Sequence, residues 1–201
     1  LDLEGYPEFA STHPNVVTAI EFERLMANGL KRPSDGKPAE QIVFVQCAGS
    51  RDENHMAHCS AVCCLASLKQ VRYVLEQNPE ARITVFYIDV RAPGRYEDFY
   101  AELQDEERVT FVKGKGARIT EDPATKDLVV EAEDTLDGNR LSVRANMAVL
   151  ATGMKPEAPD AGFPDAWGFD AHGFFADPLP DGVYAAGVAR RASEVAGCVQ
   201  D

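Results

Sequence analysis

No stretch of this chain approaches the roughly 20 consecutive apolar residues that a membrane-spanning helix needs. Residues 1–15, with Asp2, Glu4 and Glu8, have neither the basic start nor the apolar core of an export signal. Cations are scarce: 20 lysines and arginines stand against 33 aspartates and glutamates, a net charge of −13. Such a field repels nucleic-acid phosphate and anionic lipid, which argues against both as direct partners; the same acidity also serves solubility. Two signatures are missing. No G-x-G-x-x-G offers the glycines of a dinucleotide site, and no C-x-x-C offers a thioredoxin-type pair. Nor are the five cysteines spread through the chain as a secreted disulfide framework would be, since four fall within positions 47–64. A cytoplasmic setting with metal or redox cysteines is expected. Leu1 is not a natural initiator and the chain stops at Asp201 without tail character, so a fragment of a longer protein is expected.

What is present is organised around Val43–Cys64, VFVQCAGSRDENHMAHCSAVCC. The apolar run from Ile42 to Val45 reads as a buried strand over 41–46 that leads into Cys47. Cys59, Cys63 and Cys64 lie around the start of a helix over about 60–77, whose apolar positions Val62, Leu65, Leu68, Val71 and Leu75 recur at threes and fours. Strand, loop, helix is where a dinucleotide fold carries its glycine-rich turn; here the turn is rich in cysteine.

Around this unit, residues 1–15 read as irregular, and Thr18–Glu21 as a capping box opening a helix to about Asn28-Gly29. Residues 31–39 read as a linker. A strand over 83–88, a helix over 96–105 and a strand over 109–112 follow. Then come a β-meander of 115–121, 127–132 and 141–145, and a buried strand over 147–151 that ends in Thr152-Gly153. A last short strand is expected over 182–187. Asp89 and Arg91 stand where an acidic residue meets a cofactor ribose in a working dinucleotide fold, but without the glycine turn a plain loop or salt-bridge role is expected. The order β-α-β-α-β, meander, β predicts an α/β fold: a Rossmann-like, three-layer nucleotide-binding-type domain with a β-meander, as in the second nucleotide domain of two-domain flavoprotein reductases.

The cysteine spacing, C-x11-C-x3-C-C, matches neither zinc-ribbon pairs nor simple ferredoxin runs. Four thiolates from a strand end and a helix start are suitable soft ligands for an iron–sulfur cluster, and the helix dipole favours their charge. Three other readings stay open: zinc held by Cys59 and Cys63 with His55 or His58, a reactive disulfide between Cys47 and another cysteine, or plain burial of small side chains. Cys198 stands apart as a structural residue, and His13 and His172 look isolated.

The runs 44–51 (FVQCAGSR) and 59–64 (CSAVCC), with 87–91 (YIDVR), 94–100 (GRYEDFY) and 149–153 (VLATG), resemble the A-subunit family of heterodisulfide reductases. In detail they are most similar to its quinone-linked branch, the one that partners adenylylsulfate reductase. The resemblance implies an electron-transferring flavoprotein with a thioredoxin-reductase-like, FAD/NAD(P)-binding-like core. It implies a [4Fe–4S] cluster on Cys47, Cys59, Cys63 and Cys64. It also implies FAD contacts at Ala151, Thr152 and Gly153 and at Gly187 and Val188, although relatives of this fold carry Asp where Val188 stands. Three parts follow: 1–40 as an N-terminal helix and linker, 41–150 as a degenerate second nucleotide-binding-type domain, and 151–201 as an incomplete part of an FAD-binding domain. With no pyrophosphate cradle in these residues, FAD belongs to the full-length protein and is expected to be absent from this piece, which is expected to be inactive alone. NAD(P)H binding is not expected, because QCAGSR replaces the phosphate-facing glycines. The implied partners are iron–sulfur and membrane quinone-reactive subunits, with subunit contacts that include a second copy.

Overall fold

The computed structural model describes residues 7–53, 55–164 and 167–201. They form two compact units. The larger comprises the chain up to Ala48 together with Cys63–Thr152; the smaller comprises Gly49–Val62 and Gly153–Asp201.

The larger unit is built on β2 (Gln41–Ala48), whose residues from Ile42 to Ala48 are all buried. A strand buried on both faces needs neighbours on each edge. It has β8 (Met147–Thr152) on one side and β3 (Arg82–Tyr87) on the other, both parallel to it. β1 (Val16–Thr18) and β4 (Val109–Lys113) complete a five-stranded sheet in the order β1-β8-β2-β3-β4. Parallel strands require crossovers, supplied by α2 (Cys63–Gln77) between β2 and β3 and by α3 (Tyr96–Gln104) between β3 and β4.

Because side chains alternate along a strand, Ile42 and Phe44, Ile83 and Val85, and Met147 and Val149 share one face of the sheet. They form one core with Leu68, Val71 and Val74 of α2, with Leu103 of α3, and with Phe22 and Met26 of α1 (Ala19–Met26). The Phe22 and Phe44 rings meet edge to face, 5.5 Å apart. α1 starts on the expected capping box: the Thr18 hydroxyl accepts from the Glu21 N–H, and the Glu21 carboxylate accepts from the Thr18 N–H.

The opposite face lies under the meander of β5 (Gly116–Glu121), β6 (Leu128–Glu133) and β7 (Arg140–Ala145). Approach there is close. A Cβ on Gly116 would stand 2.7 Å from Val45 Cγ1. The meander's first turn is held by Asp122, whose carboxylate accepts the N–H groups of Ala124 and Thr125 at 2.9 and 3.3 Å and pairs with Arg144 at 3.1 Å. Those backbone donors, then Arg144, keep the Asp122 carboxyl below its usual range. A depressed carboxyl stabilises the fold above its unfolded pKa, near 3.9, and that stabilisation is lost as pH falls through the lower folded value. The protection of amides in the 122–127 turn, as exchange rate relative to the intrinsic rate at the same pH, is therefore expected to fall below about pH 4, and Asp122→Asn should remove the dependence.

The α/β architecture, the order of elements and the meander are as expected from the sequence. Three local features differ. β1 lies between the stretch read as irregular and the capping box, where the sequence reading has no strand: three residues suffice because it only edges β8, pairing Val16 with Ala148. α2 starts at Cys63 rather than near residue 60, since Ala61 takes φ +59° and the Val62 N–H turns back to the Ser60 carbonyl. Residues 182–187 form no strand: Gly182 and Gly187 take positive φ, and Tyr184 is 91% exposed with no sheet edge beside it among the described residues.

The smaller unit is loop-rich, with one short helix, α4 (Val195–Gln200). Phe163, Trp167, Phe169 and Phe175 pack ring against ring in it, with centroids 4.9–5.8 Å apart.

Candidate functional site

The carboxyl edge of a parallel sheet, where a topological switch leaves a crevice, is where this class of fold binds its ligands. In the larger unit that edge is lined with sulfur. Cys47 sits near the end of β2, buried and at φ +56°, a left-handed conformation that a β-carbon makes costly. It lies within an irregularity in the pairing of β2 with β8, between Val45 and Ala48. Cys63 and Cys64 occupy the first turn of α2, where backbone N–H groups lack intrahelical partners and favour negative charge.

Sheet order divides these two thiols between the strands that flank β2. Cys63 Sγ is 3.6 Å from the Thr152 carbonyl at the end of β8. Cys64 Sγ is 3.7 Å from the Asp89 carbonyl just past β3. The order β8-β2-β3 thus sets Cys47's strand between the two strand ends that receive the other thiols. Asp89 also pairs with Arg91 at 3.7 Å, the salt bridge expected in place of a ribose contact.

In the smaller unit, Cys59 Sγ accepts the Ala61 N–H at 3.4 Å, an amide-to-sulfur bond that steadies charge on sulfur. The loop bearing it closes on the turn after residue 152. Ser60 Oγ accepts the Met154 N–H at 2.6 Å, and His58 Nε2 lies 3.0 Å from the Met154 carbonyl. Gly153 has no room for a side chain: a Cβ would run into the Met56 methyl and stand 2.8 Å from Ser60 Oγ and 2.9 Å from the Ser50 Cβ. All five cysteines are thiols. Among the described residues, no three His, Cys, Asp or Glu side chains are grouped to share a single metal ion.

The residues expected to contact FAD are occupied with their own chain. The Thr152 carbonyl receives Cys63, Gly153 is packed closed, and the Gly187 N–H donates to the Asp201 carboxylate at 2.8 Å. Ala151 is buried, and Val188 lies half-exposed in the short turn Gly187–Ala189. The helix start after β1 is closed by the Thr18–Glu21 box, and the one after β2 by cysteine. These residues do not offer a pyrophosphate cradle and do not fit FAD as they stand.

Sequence reasoning missed His58 and His172 as neighbours, their rings being 4.9 Å apart with Phe174 beside His58. It also missed the ion pair of His13 with Glu121 at 2.9 Å. Both join residues remote in sequence, which no periodicity signals.

No family model matches the chain. Sequence relatives do. The chain is 37% identical over 206 residues to the iron-sulfur A-subunit 2 of the CoB–CoM heterodisulfide reductase of Methanopyrus kandleri, covering 93% of this chain and 31% of that relative. It is 36% identical over 219 residues to the A-subunit of the H2/formate:CoB–CoM heterodisulfide, ferredoxin reductase of Methanococcus maripaludis, covering 95% and 33%. The chain belongs to the A-subunit family of heterodisulfide reductases. It spans about a third of the length of these relatives. Among solved structures it is similar to the thioredoxin reductase of Lactococcus lactis, with a TM-score of 0.61 and 17% identity over 100% of this chain and 58% of that one. The T. acidophilum thioredoxin reductase follows at 0.56 and 15%, over 93% and 54%. These likenesses show the fold: a Rossmann-like α/β unit of the FAD/NAD(P)-binding type. No helix among the described residues is long and apolar enough to cross a membrane.

Proposed function

We propose that this chain is the sulfur-bearing part of an electron-transfer flavoprotein subunit. In this reading it passes electrons between FAD, a [4Fe–4S] centre and partner subunits. The observation that carries the reading is the placement of three thiols on the carboxyl edge of the parallel sheet, where this fold otherwise receives a nucleotide. The fit to a cluster is one of donor chemistry. Cys47, Cys63 and Cys64 of the larger unit, with Cys59 from the loop preceding α2, are four soft thiols of the kind that holds cluster iron. When bound, such a cluster supplies a one-electron carrier.

The chain's own residues do the rest. The strand-end carbonyls of Thr152 and Asp89 fix where the Cys63 and Cys64 sulfurs lie. The first turn of α2 favours their negative charge, and burial of Cys47 and Cys64 keeps water off the sulfur. FAD is assigned to the full-length protein, and no residue of this chain is assigned to hold it. The partners are iron–sulfur and quinone-reactive subunits, as in the family's quinone-linked branch, and the setting is cytoplasmic.

The test is a spectrum. Protein prepared without oxygen should absorb broadly near roughly 400 nm, bleach with dithionite and show the paramagnetic signal of a reduced cluster. Colourless protein that carries one zinc and has no signal would defeat the reading.

A further inference from the structure

On its outward side, away from the main sheet, the meander carries a cavity of about 450 Å³ lined by Arg118 of β5, Glu131 and Glu133 of β6, and Arg140 and Ser142 of β7. Alternation along the strands puts them there. Ile119, Leu128 and Val130 are buried toward the main sheet, so the five polar residues stand exposed on the other face. β5 breaks register with β6 between Gly116 and Arg118, an irregularity of the kind that re-aims a side chain. Arg118 pairs in register with Glu131, and Glu133 with Arg140. Opposite charges so placed ordinarily close on each other. Here they do not: among the described residues, none of the four has an ion pair or a side-chain hydrogen bond. Register also sets their spacing. With strands about 4.8 Å apart and a rise of about 3.4 Å per residue, Arg118 and Arg140 lie roughly 12 Å apart along a diagonal. The midpoint of that diagonal falls between Glu131 and Glu133. An extended peptide sets alternate side chains on one face, its first and fifth residues roughly 13 Å apart and its third midway.

We infer that this groove docks an extended acid-x-base-x-acid segment of a partner subunit, with its two carboxylates on Arg118 and Arg140 and its cation between Glu131 and Glu133. A guanidinium meets a carboxylate through a fork of two hydrogen bonds, and the Ser142 hydroxyl is a further donor on the Arg140 strand. Charge complementarity selects this occupant. A wholly acidic segment would meet two glutamates, and a wholly basic one two arginines. That a partner subunit supplies the segment rests on the proposed function above; the groove and its order of charges do not.

The experiment uses the full-length subunit and a fluorescein-labelled synthetic peptide, Glu-x-Lys-x-Glu with threonine at x and at both ends. Fluorescence anisotropy should show saturable binding that weakens by about tenfold or more in Arg118→Gln and in Arg140→Gln. Arg82→Gln, which removes an exposed cation at the start of β3, should leave binding unchanged. The charge-reversed peptide Lys-x-Glu-x-Lys should bind the natural protein about tenfold more weakly or worse. It should regain affinity for the fourfold variant Arg118→Glu, Glu131→Lys, Glu133→Lys and Arg140→Glu; where that variant does not fold, the single variants decide. Equal binding of the two peptides, or binding of neither, overturns the inference. So does self-association of the subunit that Arg140→Gln abolishes, which would give this face to a second copy. Iron and sulfide analysis of the same protein decides the relay reading separately, so either can fail while the other stands.

Discussion

Replacing Phe44 by alanine is expected to destabilise the larger unit by about 3–5 kcal/mol, a large fraction of the stability of an ordinary domain. Phe44 is fully buried at the middle of the central strand, paired in register with Val85 of β3 and Val149 of β8. Its ring meets Phe22 of α1 edge to face at 5.5 Å. Removing the ring loses its transfer free energy. It also leaves a void that two hydrogen-bonded neighbours and a helix cannot close without breaking their own register. Urea unfolding followed by circular dichroism should show the loss as a lower midpoint at unchanged slope. Val195→Ala, at a side chain 78% exposed, should leave the midpoint where it was. A loss below about 1.5 kcal/mol at Phe44 would mean that the sheet and α1 collapse onto the space, and that the core is not the rigid frame described.

Changing Cys63 or Cys64 to serine should have the opposite profile: little change in stability and loss of the bound centre. Serine keeps nearly the same volume, and its hydroxyl can still donate to the carbonyls of Thr152 and Asp89, which now receive the thiols at 3.6 and 3.7 Å. What it cannot replace is soft sulfur as a ligand for cluster iron. Iron and acid-labile sulfide should fall together in each variant, with the unfolding midpoint held. Cys198→Ser should keep both, since that thiol lies against Gly187 and Ser193 in the smaller unit, away from the sheet edge in sequence and role. Iron retained in full by both Cys63→Ser and Cys64→Ser would remove these residues from the ligand set.

Much of the larger unit could be read from residues alone because its signals are local. The run Ile42–Val45, short and rich in β-branched residues, reads as a buried strand, and Thr18 with Glu21 is a complete helix start in four residues. The threes and fours of Leu65, Leu68, Val71 and Leu75 give α2, and Asp122-Pro123 with Asp137-Gly138 punctuates the meander. Where the reading slipped, the cause was a backbone choice or a distant partner. Val62 fits the helical period, but Ala61 adopts a left-handed turn that postpones the helix to Cys63. Gly182–Gly187 has strand-like composition, but a strand exists only where an edge accepts it, and composition does not say whether one is present.

The cysteine site was legible in kind and not in detail. Spacing gave four sulfurs at a strand end and a helix start. That Cys63 turns to β8 and Cys64 to β3 follows from the sheet order β8-β2-β3, which adjacent letters in a sequence do not encode. Gly153 shows the same limit. Its sequence context reads as a flavin-contacting turn, whereas the folded chain fills its Cβ position with Met56, Ser50 and Ser60.

The most direct test of a cluster on these cysteines is iron and acid-labile sulfide per chain, with zinc determined on the same sample, in protein prepared without oxygen. About four irons and four sulfides per chain are expected, with no stoichiometric zinc. One zinc without sulfide, or neither metal in protein that remains folded, would contradict the cluster.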